Sequence, residues 1–279
     1  MISVVTPSFR QLGWLKLCAA SVADQSGADF EHIVQDAGSG PELEAWAATR
    51  PSLRLVAEKD RGMYDAINRG LAKSRGEICA YLNCDEQYLP GALSRVDALF
   101  DAHPEVDIFF ANAHVVDPLG GYICTRHALI PQTAHTMVSN NLAILTCGTF
   151  FRRRLLEERQ LYFDTAWRNV GDAVWALSLI RKKVRMGLCG FATSTFTDTG
   201  ENMNLNAEGH AERRKLFQLA PSWARWLSPL VVAHFRCRKF LKGHYRGEPV
   251  RYEIYTTTSP DRRVRFDVAR GTARWKTRM

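Results

Sequence analysis

Within the first ninety residues, three short apolar runs each lead into an aspartate. Asp36 ends Glu31-His32-Ile33-Val34-Gln35, Asp60 follows Leu53-Arg54-Leu55-Val56-Ala57, and Asp85 follows Ile78-Cys79-Ala80-Tyr81-Leu82-Asn83-Cys84. Runs of this length read as strands. Helical spacing fills the gaps: Leu12, Leu15, Ala19 and Val22 over 12–24, a helix ending near Thr49, and Met63, Ile67 and Leu71 over 63–74. A further helix runs from Pro90, taken as a first-turn proline, to Ala102. With an opening strand at 2–6, strand and helix alternate four times. That order predicts an α/β chain whose mostly parallel, Rossmann-like sheet is flanked by helices. The carboxyl ends of such strands line one crevice, where ligands bind. Carboxylates gathered there suit a ligand with base and sugar hydroxyls to donate, or a divalent metal bridging phosphates.

Beyond residue 105 the pattern continues with strands at 106–112 and 121–126 around a turn at Pro118-Leu119-Gly120-Gly121. A strand-like 144–151, helices near 152–158 and 171–181, and a strand near 184–190 follow. Residues 208–219 and 223–241 read as helices, and the last forty are polar, basic and poorly patterned. This divides the chain into 1–205, itself in two halves, 1–105 and 106–205, and a basic, partly helical extension, 206–279.

Charge follows the same division. The 279 residues carry a net charge of +8, yet from Ala211 onward there are 17 Lys and Arg against 5 Asp and Glu. Residues 1–210 are mildly acidic. Such asymmetry points to a polyanionic neighbour: an anionic membrane surface, a lipid diphosphate or nucleic acid. Trp223, Trp226, Leu227, Leu230, Val231, Phe235 and Phe240 beside Arg225, Arg236, Arg238, Lys239 and Lys242 read either as an amphipathic helix on anionic lipid or as a helix packed on the domain with a solvated basic face. No recognised nucleic-acid motif accompanies the charge. Seven cysteines without a C-x-x-C pair argue against a disulfide scaffold or a structural zinc site. No apolar run reaches the roughly 18–20 residues of a membrane span, and the N-terminus has no signal-sequence pattern. The expectation is a cytoplasmic protein, peripheral at the inner face of the membrane.

Several motifs allow a chemical and a plain reading. Thr6-Pro7-Ser8-Phe9-Arg10 ends strand one, where Phe9 and Arg10 can face a base or phosphate, or form an ordinary turn. Asp36, before Gly38 and Gly40, suits a base N–H or a helix N-cap. In Asp60-Arg61-Gly62-Met63-Tyr64-Asp65-Ala66-Ile67-Asn68-Arg69-Gly70, Gly62 opens a helix whose N-terminus attracts anions, and Asp65 and Asn68 share its polar face. Asn83-Cys84-Asp85-Glu86 offers two adjacent carboxylates at a strand end, which favour a hard divalent cation with oxygen ligands, Mg²⁺ or Mn²⁺. Asp172, after Gly171, starts a helix, where the macrodipole alone favours an acid.

These residues resemble glycosyltransferase family 2, the inverting enzymes with the GT-A fold, over roughly residues 1–200. The 60–70 stretch is similar to the D-x-G-x-Y-D-A-x-N-x-G block of bacterial polysaccharide-assembly members, and Asn83-Cys84-Asp85-Glu86 sits at the family's D-x-D-type motif. The resemblance implies a metal-dependent transfer from a nucleotide-sugar, UDP-sugar favoured, to a hydroxyl of a glycolipid, lipid-linked or oligosaccharide acceptor. It implies metal ligands Asp85 and, more weakly, Glu86, with Asn83 replacing the common aspartate. It makes 1–105 the nucleotide-binding half and 106–205 the acceptor half. Thr6, Pro7, Phe9, Arg10, Asp36, Asp60, Gly62, Asp65, Asn68, Arg69, Asn83 and Cys84 would hold the nucleotide. Phe150-Phe151-Arg152-Arg153 to Phe163-Asp164, Thr146 to Thr149 and Trp167 fall on the acceptor side. Asp172 is the implied general base, with Gly171 where the family carries Glu. A catalytically weak scaffold or polyanion binder, and a nucleotidyltransferase, are the competing classes; the second wants a glycine-rich basic loop after strand one, which Pro7-Ser8-Phe9-Arg10-Gln11 does not supply.

Overall fold

A computed structural model describes residues 1–139, 141–200 and 206–275 of the protein. Four parallel strands form one half of its main sheet: β1 (Ile2–Ser8), β2 (Phe30–Asp36), β3 (Leu53–Ala57) and β4 (Ile78–Tyr81), side by side in the order β3-β2-β1-β4. Helices α1 (Leu12–Ala23), α2 (Pro41–Ala48) and α3 (Met63–Lys73) link them. The sheet continues through β8 (Thr149–Arg152), β6 (Ile108–Val116), β9 (Met186–Thr197) and β5 (Glu86–Tyr88). Strand β8 is antiparallel to both β4 and β6, β9 is parallel to β6, and β7 (Tyr122–Arg126) pairs antiparallel with β6. Helices α4 (Ala92–Ala102), α5 (Thr133–Val138), α6 (Arg154–Glu157) and α7 (Gly171–Arg181) complete this part.

Strand alternation sorts the core into two layers. Val5, Phe110 and Phe151 pack with Ile67 and Leu71 of α3 and Trp175 of α7. Their chain neighbours Val4, Phe109 and Phe150 pack on the other face, with Cys18 and Val22 of α1 and Val96 and Phe100 of α4. Helix α3 lies close because residue 70 is glycine: a Cβ there would come within 2.3 Å of Val5 Cγ1.

The structure revises several expected elements. Residues 86–88, read as a turn, form β5 against β9, and Pro90 precedes α4 by two residues because Gly91, in the left-handed region at φ 68°, supplies the turn into it. Residues 144–151 divide into a 3₁₀ turn, Thr146–Gly148, and β8. The single helix expected over 223–241 is two, α9 (Ser222–Trp226) and α10 (Ser228–Leu241), because Pro229 begins a new helix. Helix α8 (Ala207–Gln218) precedes them; the expected boundary after residue 205 lies outside the described residues.

The weakly patterned tail contains a hairpin, β10 (Val250–Thr256) and β11 (Ser259–Val268). Tyr252 and Ile254 bury against Leu89 and Val116. Tyr255 exchanges backbone N–H and carbonyl bonds with the Gln87 amide, both at 2.9 Å. Arg263, 9% exposed in its side chain, donates to both carboxylate oxygens of Asp24 at 2.5 and 2.6 Å and to the carbonyls of Tyr88 and Glu253. Replacing Arg263 with Ala therefore removes charge-assisted bonds that tie the hairpin to α1 and β5, and we expect it to lower stability by roughly 1.5–3 kcal/mol. Amide hydrogen exchange over 250–268 should accelerate most; uniform exchange across the chain would contradict this anchoring role.

Candidate active site

The carboxyl edge of the four parallel strands gathers most of the predicted residues. Register places Ser8 beside Asp36 and Asp36 beside Ala57, and Glu58 N–H donates to the Asp36 carbonyl at 2.8 Å. Cys84 Sγ donates to the Pro7 carbonyl at 3.3 Å, which brings the 83–85 turn onto the end of β1. Phe9 and Arg10 are exposed at this edge; Arg10 has φ 54° and its N–H donates to Ser39 Oγ at 2.7 Å.

Some of these side chains are committed to the protein itself. Thr6 is buried and bonded to His32 Nε2 at 2.9 Å, so it belongs to the core between β1 and β2; Pro7 and Cys84 are buried too. Asp36 is 1% exposed and accepts from Gly38 N–H, Ser39 N–H and Ser39 Oγ. It shapes the loop into α2, so a ligand over this loop meets backbone more than carboxylate. Asp60 is half-buried and accepts from Gly62 N–H at 2.9 Å. Gly62, at φ 124°, permits the turn that opens α3. Asp65 pairs with Arg61 and Arg69, which hold its carboxyl below the usual range against the opposing effect of burial. Asn68 accepts from Phe163 N–H and donates to the Phe163 carbonyl, at 2.9 and 2.8 Å, a two-bond clamp on the segment before α7.

The acidic turn contains a strained electrostatic arrangement. Glu86, in β5, is fully buried, and its Oε2 accepts from Asn83 N–H at 2.7 Å. Through Oε2 it therefore buttresses the turn from within. Burial raises the pKa of both Asp85 and Glu86; the Asp85 charge adds to the effect on Glu86, which reaches about 8. Asn83 Oδ1 and Glu86 Oε1 are buried without hydrogen-bond partners. No cluster of three or more His, Cys, Asp or Glu side chains suited to a metal occurs among the described residues. Half-buried Asp85, with the unpartnered oxygens of Asn83 and Glu86 in the same turn, offers an oxygen-only donor set. It fits a cation that takes its remaining ligands from water and a diphosphate.

Asp172 meets this region through α3. Its N–H donates to Tyr64 Oη at 3.1 Å, and its Oδ1 accepts from Ala173 N–H at 2.7 Å. Burial raises its pKa, making the carboxylate a stronger base than a solvated aspartate. Tyr64 stacks on Phe163 at 5.4 Å between ring centroids. A Cβ on Gly171 would lie 2.6 Å from Tyr64 Cε2, so glycine is required here by the tyrosine ring. Beside them a cavity of about 220 Å³ is lined by Arg61, Tyr64, Asp65, Trp167, Arg168 and Asn169 among others. Asn169 presents a buried, unpartnered Nδ2.

Of the acceptor-side expectations, Trp167 lines this cavity, with Lys215 Nζ 4.6 Å from its ring centroid. Phe150 and Phe151 are core, Cys147, Gly148 and Thr149 are buried, and Arg152 is tied to Glu77 and to the Val106 and Phe100 carbonyls. Their apolar and strand-forming character assigns them to packing. Sequence reading missed Glu212 of α8, whose carboxylate accepts from the backbone N–H groups of Arg168, Asn169 and Val170 at 2.7, 2.8 and 3.1 Å. It fixes the loop that delivers Asp172. A larger cavity of about 880 Å³ lies between the hairpin and strands β6, β7 and β9, and none of the predicted site residues lines it.

Comparison with known proteins bears on this geometry. Residues 3–183 match the family described as Glycosyl transferase family 2. The chain belongs to that family. It is 32% identical over 118 residues to a PGL/p-HBAD biosynthesis glycosyltransferase of Mycobacterium bovis, covering 40% of this chain and 46% of the relative. It is 33% identical over 127 residues to the O-antigen biosynthesis protein RfbC of Myxococcus xanthus, covering 43% of this chain and 10% of that protein. The chain thus spans less than half the length of these relatives. Among solved structures, S. aureus TarS 1–349 in complex with UDP-GlcNAc superimposes with a TM-score of 0.59 at 19% identity, covering 86% of this chain and 72% of TarS 1–349. The mannosyltransferase PcManGT from Pyrobaculum calidifontis, in complex with GDP-Man and Mn²⁺, gives 0.51 at 18%, covering 85% and 75%. The architecture is the GT-A fold.

Two predictions follow from the packing and charge. Gly171→Ala in this family 2 chain should cost roughly 1–3 kcal/mol, because its methyl group displaces Tyr64; denaturant midpoints measure this, and an unchanged midpoint would contradict the contact. The second concerns pH. The folded state keeps a proton on Glu86 that the unfolded chain releases above the ordinary glutamate range. The native form therefore binds more protons, and its stability falls as pH rises toward about 8. Glu86→Gln retains an acceptor for Asn83 N–H and removes that titration. Its melting temperature should decline less steeply than the parent's from about pH 5 to about pH 8; parallel profiles would show that Glu86 is ionised in both states.

Proposed function

We propose that this protein is a metal-dependent inverting glycosyltransferase. The observation that carries the reading is the junction of α3 with α7: burial raises the pKa of Asp172, its backbone N–H donates to Tyr64 Oη, and Tyr64 lines the neighbouring cavity of about 220 Å³. The donor is a nucleotide-sugar lying along that edge, with UDP-sugar favoured. UDP-GlcNAc bound to TarS supports this choice, and GDP-Man bound to PcManGT keeps the base open to test. The acceptor is a hydroxyl of a lipid-linked or polysaccharide chain, and the 220 Å³ cavity is a suitable size for its terminal sugar ring.

In this reading the acceptor oxygen attacks the anomeric carbon from the face opposite the nucleoside diphosphate. Asp172 takes the acceptor proton as the carbon–oxygen bond forms and the glycosyl–phosphate bond breaks. General-base assistance of this kind contributes on the order of 10²–10⁴-fold. Asn169 Nδ2 and Trp167 orient the acceptor. Asp85, with weaker support from Glu86, would hold Mg²⁺ or Mn²⁺, and that ion would supply positive charge to offset the diphosphate. Phe9, Arg10, Asp60 and the backbone of the Asp36 loop flank the nucleotide. Asp65 and Arg69 hold the start of α3, while Asn68 positions the Phe163 segment.

Substitution separates the roles. Asp172→Asn should reduce sugar transfer on the order of 10²–10⁴-fold while leaving UDP affinity, measured calorimetrically, within about twofold. Asp85→Asn should instead abolish the Mn²⁺-dependent part of UDP binding. Full transfer activity in Asp172→Asn would reject it as the base.

A further inference from the structure

Helix α10 is apolar on two opposite faces, and the protein covers one of them. On the inner face, Phe235 is buried and stacks on His135 of α5 at 3.6 Å between centroids, and Arg238 donates to the Ile130 carbonyl. On the outer face, Leu230, Ala233, Cys237, Phe240 and Leu241 are exposed at helical spacing. A helix that is apolar on both sides is ordinarily enclosed on both.

The exposure is concentrated. Among the described residues, eight of the eleven large apolar side chains on the surface fall between Leu219 and Tyr245, so the exposure is concentrated in the stretch of chain that holds α9 and α10. Trp226 is 88% exposed, Leu241 78%, Phe240 69% and Leu230 64%. Between residues 219 and 246 there are six Lys and Arg and no Asp or Glu. Arg225, Arg236, Lys242 and Arg246 are exposed around the stripe. No helix among the described residues is long and apolar enough to cross a membrane.

We infer that α9 and α10 form a docking face for an anionic bilayer, with the helix axis along the surface and Trp226, Leu230, Phe240 and Leu241 in the headgroup–acyl boundary. Tryptophan beside basic residues on a short amphipathic helix is suited to that depth. The charge selects this occupant over a second copy of the chain: a two-fold pairing would set one uniformly basic surface against another. The inference stands apart from the assignment of Asp172, since it uses no residue of the catalytic site.

Vesicle binding by the full 279-residue chain tests it. The chain should float with phosphatidylcholine vesicles containing phosphatidylglycerol, bind much less to phosphatidylcholine alone, and lose affinity as salt rises. Arg225→Glu with Lys242→Glu should weaken binding at least about fivefold per position. Trp226→Ser with Leu230→Ser and Phe240→Ser should reduce it more than tenfold. These side chains are exposed, and an unchanged melting curve confirms that the variants fold. As a measure on the unmodified chain, tryptophan emission should shift to the blue on adding anionic vesicles and stay put with inorganic phosphate. Failure to bind anionic vesicles, equal binding to neutral ones, or undiminished binding by the triple variant would each overturn the proposal. So would a dimer of the parent that the triple variant converts to monomer without any vesicle binding. Asp172→Asn should bind vesicles like the parent, so loss of the catalytic reading and loss of this one are separately visible.

Discussion

The ring of Tyr64 lies in the volume that a side chain on residue 171 would need, and much of the site depends on that interlock. The tyrosine is near the start of α3, the residue it admits is at the start of α7, and its hydroxyl accepts from the backbone of the residue proposed as base. Stacking on Phe163, and the Asn68 clamp on the same residue's backbone, tie the connecting segment to α3. The relative placement of the α3 end of the strand edge and Asp172 is thus set by close packing, which tolerates little displacement.

What could be read from the chain, and what could not, follows from the range of the interactions. Strands β1 to β4 and helices α1 to α3 announce themselves through local periodicity, and their parallel order follows from alternation alone. The hairpin at 250–268 also alternates, Val250-Tyr252-Ile254 against Val264-Phe266-Val268, but the arginines between these residues mask it. Strand β5 is too short, and too polar in Glu86-Gln87-Tyr88, to register. The candidate site residues are legible as positions more than as roles. Asp36, Asn68 and Glu86 carry the polar types a ligand would want, yet each has satisfied its own backbone or a neighbour's. Glu212 is the converse case: an acid on a polar helix with nothing local to mark it, which caps three amides more than forty residues earlier in the chain.

Charge organises the molecule at a longer range. The strand edge concentrates acids, while the segment from 219 to 246 contains only bases among its charged residues. The two act differently. The acids at 85 and 86 are desolvated, so each ionisation there is costly and a cation or a proton relieves it. The bases around α10 are mostly in solvent, where single ion pairs contribute little but their collective potential reaches about a Debye length.

The acid pair illustrates how a site can hold instability in reserve. Folding buries Glu86 completely and leaves one of its oxygens, and that of Asn83, without a partner. A packed apolar residue at position 86 would avoid that cost but would remove the acceptor that holds Asn83 N–H and orders the turn. A neutral, protonated Glu86 keeps the acceptor while leaving the negative charge on Asp85, the member of the pair with access to the crevice. The raised pKa of the inner carboxyl therefore concentrates ionisation on the outer one, where a cation bound to a diphosphate would meet it.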